Sequence, residues 1–512
     1  MKMARGFFTV GFWTLASRIL GFARDVLIAS YLGTGAAHQA FVAAFALPNL
    51  FRRFFAEGAL NMAFVPMFSK KLESGDDPRG FASDAFVGLT GVVIVLTLLA
   101  QIFMPALVWL QVSGFHGTDK FDLTVDFGRI AFPYIILISL AALLSGMLNA
   151  MRHFAAAAAA PVLLNIVFIC AIGVAAWMDY DIARALIWSV PIGGIAQLIL
   201  VWVAVKRAGF APQLRWPRFT PDLKRLALIA APAALAGGVV QINLLVGRQV
   251  ASQTDGAVSW LYNADRLYQL PLGVVGIAIG IVLLPELSRR LAANDDKAGR
   301  ESLSRAGEMA LMLTVPCAVA LIAIPAPLVS VLFERGAFVA EDTEKTALAV
   351  LIYGLGLPAF VLQKVLQPLY FAREDTKTPF KFALVSMFVN AVAAVGLMPI
   401  IGFFAAAVAT TLSGWAMLLM LWIGSKRLGE VARFDDLFRK RLWRICLASL
   451  LMGGWLFLTL NLVGPMLGYG GWRWLALLIL VVSGMLSYGV FGQLLGAFRL
   501  SDLKASFRRS KG

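Results

Sequence analysis

The sequence predicts an all-α polytopic membrane protein: fourteen transmembrane helices, built as two parallel-repeat six-helix lobes with two additional C-terminal helices. Three observations predict it. Of the 512 residues, 60% are hydrophobic and only 14% are charged, with a mean hydropathy of +0.80. A soluble globule has too little interior for that much apolar surface. Apolar runs recur along the whole chain, each with the roughly 20 residues a helix needs to cross a bilayer. Basic residues alternate between successive loops, as a fixed membrane topology requires.

The runs place spans at 7–31, 40–68, 83–110, 124–151, 155–177, 184–205, 224–252, 257–287, 303–333, 346–372, 378–400, 403–425, 442–463 and 473–498. Several are long enough to tilt or to project beyond the bilayer. The first follows a basic N-terminus, MKMARGFFTVGFW, which resembles a secretory signal. It contains Arg18 and Arg24 and no small-residue cleavage site, so it reads as a retained first helix.

Net charge is +16, which in a soluble chain would suggest nucleic acid. Its distribution gives a different reading. With this span count, the two termini and the loops on their side carry 32 of the 45 lysines and arginines; the opposite loops carry 6, and 7 lie within spans. The positive-inside rule then puts both termini in the cytoplasm, and the excess charge faces anionic lipid. Cys170, Cys317 and Cys446 lie apart in apolar runs without companion histidines, so no disulfide framework, metal site or cofactor is expected.

A weak repeat recurs at an offset of about 220 residues. VPMFSKK (65–71) matches LPELSRR (284–290), IAS (28–30) echoes VAS (250–252), and NAMR (149–152) echoes FARE (371–374). Six spans separate each pair, so the repeats share orientation. The expected domains are an N-lobe at 1–205, a basic cytoplasmic linker at 206–223, a C-lobe at 224–425, and spans 13–14 with a tail at 426–512. Two lobes of this kind suit alternating access, with a cargo site between them.

The seven basic residues within spans are Arg18, Arg24, Arg52, Arg53, Arg129, Arg266 and Lys364. Each costs about 2.5–3.5 kcal/mol at the bilayer centre, so they are expected to face a cavity or a partner. Arg53 and Glu57 are four apart on one helix face and are expected to form an internal structural pair. Arg52 points about 100° away, beside Asn49, and is expected to face a cavity. Arg18 and Asp25 share a face but lie about 10 Å apart along the axis, which leaves Asp25 for a cation from another helix. Arg24 and Arg266 adjoin aspartates in sequence, but neighbours on a helix point apart. Arg24, Arg52 and Arg266 share a depth of roughly 10–20 Å from the external helix ends. Guanidinium forks there would receive a diphosphate or a carboxylate. The alternative is a set of interhelical ion pairs that lock the bundle. Arg129 is expected to snorkel, while Lys364 fits either cargo contact or snorkelling.

At these residues the chain resembles the MurJ/MviN family of lipid II flippases, within the multidrug/oligosaccharidyl-lipid/polysaccharide exporter superfamily. The motifs are SRILGFARD (17–25), LPNLFRRFFAEGA (47–59) with FVP (64–66), ADRLYQLPLGVVGIAIG (264–280) with LLPELS (283–288), and FAREDTKTP (371–379). The likeness covers essentially the whole chain. It implies movement of lipid II, an undecaprenyl-diphosphate carrying a disaccharide-pentapeptide, from the cytoplasmic to the periplasmic leaflet. It implies essential arginines at Arg18, Arg24, Arg52 and Arg266, with Asp25 and Asn49 nearby, and a polyprenyl groove on spans 13 and 14. The implied partners are lipid II, membrane lipids and other proteins of peptidoglycan synthesis, with no nucleic acid. Two departures stand out. Many relatives have acids where this chain has Gln39 and Gln269. Some bind sodium through carboxylates in spans 7 and 11, whereas spans 7, 11 and 12 here hold no Asp or Glu, only neutral oxygens such as those of Asn390, Thr410 and Thr411.

Two other functions compete. A flippase for another polyprenyl-linked saccharide, of the O-antigen type, would use the same arginines. A membrane enzyme acting on polyprenyl phosphates would need clustered acids or a metal near them. His38, His116 and His153 are instead scattered at loops or span ends, as solvated bystanders would be.

Overall fold

The computed structural model describes residues 2–52, 60–213, 215–216, 218–293 and 295–498. Among them regular structure is wholly helical, with eighteen α-helices and a few 3-10 turns. Ten helical segments are long and apolar enough to cross a membrane. On α17 (Asp436–Leu467) and α18 (Arg473–Leu494), large apolar side chains such as Leu450, Leu462, Met485 and Leu486 point outward. In a bilayer such a face is solvated by lipid.

Three expected spans are each two helices, and a proline accompanies every break. Residues 83–110 divide at Phe103 between α4 (Pro78–Ile102) and α5 (Met104–Gln111), which has Pro105 in its first turn. Residues 124–151 divide at Phe132–Pro133 between α6 (Asp119–Ala131) and α7 (Tyr134–Ala150). Residues 303–333 divide at Ile324 between α12 (Asp296–Ala323) and α13 (Pro325–Phe333). Proline lacks the N–H that would continue the ladder, and it restrains the residue before it.

The chain forms two compact units. One comprises the residues up to Ser259 together with Arg335–Phe338; the other comprises Trp260–Glu334 and the residues from Val339 on. In the first, α1 (Lys2–Leu32) packs on α8 (Phe154–Trp177), α8 on α9 (Ile182–Arg207), and α2 (Ala36–Arg52) on α6. The α7–α9 approach requires glycine: a Cβ on Gly194 would stand 2.6 Å from Tyr134 Cδ2. Beside it, Gln197 Nε2 donates to the Ala160 carbonyl (2.9 Å), and Tyr134 donates to Gln197 Oε1 (3.1 Å). Around α3 (Leu60–Ser74), Phe64 stacks on Phe68 and Phe81 in an apolar core shared with α4, α7 and α9.

The basic linker is fastened to this unit. Arg215 donates to Asp84 Oδ1 (2.8 Å) and to the Gly80 carbonyl (2.6 Å), and the Gln213 N–H to Ser83 Oγ (2.9 Å). The unit continues past the linker and takes in α10 (Pro221–Ser252). Lys71 pairs with Asp222 at one end of α10 (3.0 Å). At the other end, Gln249 Oε1 accepts from the N–H and hydroxyl of Ser113, both at 2.8 Å. Arg335–Phe338 docks on the end of α1, where the Ala337 N–H donates to the Ser30 carbonyl at 2.8 Å. Gly33 has φ +56 and would carry a Cβ 2.4 Å from the Ala337 carbonyl oxygen, so only glycine suits it.

In the second unit α14 (Ala340–Phe371) packs between α12 and α16 (Phe404–Ser425), and α15 (Lys377–Ile401) packs on α16. Helix α11 (Ala257–Ala292) joins α14 through Trp260 Nε1, which donates to Asp342 Oδ1 (2.8 Å), and through Tyr268 against Tyr353. The α17–α18 pair seats on α12 and α13. Glu308 accepts from Arg305 and Arg441, Arg305 also pairs with Asp435, and Tyr488 donates to the Met312 carbonyl (2.8 Å).

Candidate functional site

Helix α1 carries Arg18, Arg24 and Asp25. Arg24 is the most elaborately held of the sequence-predicted residues. Its Nε and NH2 groups donate to Asp25 Oδ1 (3.0 and 2.7 Å), and its NH1 donates to Asn165 Oδ1 on α8 (3.0 Å). Asn165 in turn donates from Nδ2 to the Ser17 carbonyl, again at 3.0 Å. The guanidinium lies 5.2 Å from the centre of the Phe168 ring, a cation–π contact. Arg24 keeps 11% of its side chain exposed and Asp25 only 2%.

This corrects the expectation that Arg24 and Asp25 point apart. Their Cα–Cβ directions diverge, but the four-atom arginine stem curls around the helix to reach the neighbouring carboxylate. Asp25 is therefore engaged by a cation on its own helix. Asn165 went unnoticed in the sequence, because an asparagine in an apolar run looks like a buried packing residue. The signal was its place one turn from Phe168, on the stripe of α8 that faces α1.

Helix α2 contributes Asn49 and Arg52, both partly buried. Asn49 Nδ2 donates back to the Phe45 carbonyl one turn earlier (2.9 Å), next to Pro48, which breaks the ladder there. Phe45 packs against Phe168 (5.6 Å between ring centres), so the ring beneath Arg24 also touches the turn that presents Asn49. Arg24 and the end of α2 thus share one aromatic floor. Arg18 lies half-buried on α1, about 9 Å below Arg24 along the axis. Arg53 and Glu57, the expected structural pair, fall outside the described residues.

Arg266 belongs to the other unit, on α11, with its guanidinium 4.4 Å from the centre of the Tyr262 ring one turn earlier. Gln269 donates to Asp265. Lys364 and Arg129 are exposed. In the same unit Thr411 donates to the Ile352 carbonyl (2.9 Å) and Thr410 to the Ala406 carbonyl (2.8 Å), so both hydroxyl protons serve helix packing.

Gln39, where the resemblance implies an acid, borders one. Gln39 Nε2 donates to Asp255 Oδ1 (2.8 Å), as does Lys120 Nζ (2.9 Å). The Gln39 and Lys120 hydrogen bonds hold the exposed Asp255 carboxyl below the usual carboxylate range. His38 corrects a second expectation. It is fully buried, with Nδ1 2.5 Å from the Gly33 carbonyl oxygen, which requires a proton on that nitrogen. It fixes the α1–α2 turn and is no solvated bystander.

Comparison with known proteins gives the family of the chain. Residues 28–476 match the family model described as Lipid II flippase MurJ. The chain belongs to the MurJ family. A relative named as a probable lipid II flippase MurJ from Rhizobium tropici is 42% identical, covering 100% of this chain and 98% of the relative. Among solved structures, a lipid II flippase MurJ in an inward closed conformation superposes with a TM-score of 0.80 at 27% identity, covering 95% of this chain and 98% of that one. An inward-facing multidrug resistance MATE family transporter of the MOP superfamily matches with a TM-score of 0.70 at 13% identity, over 81% of this chain and 95% of that one. The second likeness concerns fold alone. The family makes the chain a multi-pass membrane transporter and not an enzyme.

Proposed function

We propose that the chain flips lipid II from the cytoplasmic to the periplasmic leaflet of the bacterial inner membrane by alternating access. Membership of the lipid II flippase family across nearly the whole chain carries this reading. The residues supply a mechanism. The diphosphate docks on Arg18, Arg24, Arg52 and Arg266, whose guanidinium groups match phosphate oxygens in pairs. Asp25 and Asn165 hold Arg24 in one orientation, so little side-chain entropy remains to be lost when cargo arrives. Asn49 offers its carboxamide beside Arg52. The prenyl tail stays in lipid, against a groove on α17 and α18. No bond is made or broken.

The same reading has fourteen spans, both termini cytoplasmic, and two parallel six-helix lobes at 1–205 and 224–425. The sequence repeat supports that division. By the repeat α10 belongs to the second lobe, although it packs within the first unit. A negative cell interior favours outward movement of the anionic cargo. Other proteins of peptidoglycan synthesis are proposed as partners.

Depletion in cells tests the cargo. Loss of this protein should remove lipid II from the outer leaflet and cause lysis. Intact peptidoglycan with missing surface polysaccharide would instead identify an O-antigen-type flippase.

A further inference from the structure

A cavity of about 550 Å³ opens in the first unit where α7 ends, α8 begins and α9 ends. Arg152, His153 and Arg207 line it together with Thr9 of α1, and apolar walls come from Leu148 and Phe154. Among the described residues no carboxylate lines it and no ion pair engages Arg152 or Arg207. Arg152 and Arg207, both exposed, border this cavity and leave a local excess of positive charge that an anion would neutralise.

The backbone adds to this. The chain reverses between α7 and α8 through Arg152 at φ +62, with the His153 N–H donating to the Leu148 carbonyl (2.8 Å). A left-handed backbone is strained at a residue with a side chain, yet an arginine stands where glycine would be relaxed. No side chain caps α8 at His153, so the positive end of a 24-residue helix faces the same space. Leading away from Thr9, the α1 residues Phe12, Leu15 and Ile19 form an outward apolar stripe at spacings of three and four.

We propose that this cavity binds the phosphate of an anionic membrane lipid, with an acyl chain lying along the Thr9–Phe12–Leu15–Ile19 stripe. Arg152 and Arg207 grip the phosphate oxygens, and the first turn of α8 donates backbone N–H groups. The lipid is a resident of the bilayer distinct from the cargo site, and the proposal does not depend on which lipid is flipped.

Thermal unfolding of the full chain in neutral detergent tests it, with added phosphatidylglycerol, phosphatidylcholine of the same acyl chains, or inorganic phosphate. Phosphatidylglycerol should raise the midpoint, and the other two should not. In R152G/R207Q the phosphatidylglycerol needed for half the effect should rise about tenfold, as expected when charge-assisted hydrogen bonds are lost. Glycine suits φ +62, so this variant should fold at least as stably as the wild type without lipid. R207Q alone gives a second reading, and R184Q, at the other end of α9, should follow the wild type. An undiminished phosphatidylglycerol response in R152G/R207Q would overturn the proposal, as would an equal response to phosphatidylcholine. An equal response to inorganic phosphate would overturn the lipid assignment in favour of a soluble-anion site.

Discussion

Replacing Asn165 with alanine removes a side chain on α8 that hydrogen-bonds Arg24, leaving the Phe168 ring beneath the guanidinium. The carboxamide is 6% exposed; it accepts from Arg24 NH1 at 3.0 Å and donates to the Ser17 carbonyl at 3.0 Å. A hydrogen bond to a charged group contributes about 1.5–3 kcal/mol, and the neutral one to the Ser17 carbonyl, which keeps its helical partner within α1, about 0.5–1.5 kcal/mol. The first part acts on the arginine that receives the cargo; the second acts on the α1–α8 contact. With Asp25 still holding Nε and NH2, Arg24 keeps its pairing and loses its fixed direction. At about 1.4 kcal/mol per factor of ten, lipid II translocation should fall roughly ten- to a hundredfold. The assay is translocation in proteoliposomes, normalised to inserted protein so that lower stability is not mistaken for lower activity. Asn165→Asp, which keeps an acceptor for Arg24, should retain more activity than Asn165→Ala. Wild-type translocation in Asn165→Ala would refute the idea that α8 orients Arg24.

Three further outcomes follow from other contacts. Arg52→Ala should abolish complementation of a depletion strain at normal protein levels, whereas Arg53→Ala should mainly lower the amount of protein; immunoblots alongside growth separate the two. Gly194→Ala places a methyl 2.6 Å from Tyr134 Cδ2 and should destabilise the first unit by about 1–3 kcal/mol, read as a lower unfolding midpoint in detergent. The Asp255 carboxyl is held below its usual range by Gln39 and Lys120, so its contribution is present above the unfolded pKa and is lost as pH falls through the lower folded value. The stability difference between wild type and Lys120→Gln, under about 1 kcal/mol with Asp255 so exposed, should therefore shrink on acidification below the ordinary carboxylate range to what Lys120 gains over the Phe115 ring (4.8 Å), and stay constant from neutral to mildly alkaline pH.

Much of the fold was legible because membrane helices are written in composition. An apolar run of sufficient length has few alternatives in a bilayer, and most helix ends fall within a few residues of the expected ones. What composition hides is the break within a run. Phe103, Phe132 and Ile324 are themselves apolar, and the prolines at Pro105, Pro133 and Pro325 mark the breaks beside them. At the site, the arginines were conspicuous because charge in an apolar run is expensive. Their partners were less so. Helical spacing argued that Arg24 and Asp25 diverge, which holds for short side chains and fails for one as long as arginine. Asn165 lies 141 positions from Arg24 and His38 is locked by a backbone carbonyl. The carboxylate beside Gln39 comes from Asp255, 216 positions away.

The measurement closest to the central claim is lipid II translocation by the purified chain in proteoliposomes, with sodium, proton and voltage gradients imposed in turn. Transfer of lipid II between leaflets is expected, lost in Arg24→Ala, Arg52→Ala and Arg266→Ala, and accelerated outward by an inside-negative voltage. Equal transfer by those variants and the wild type would contradict it.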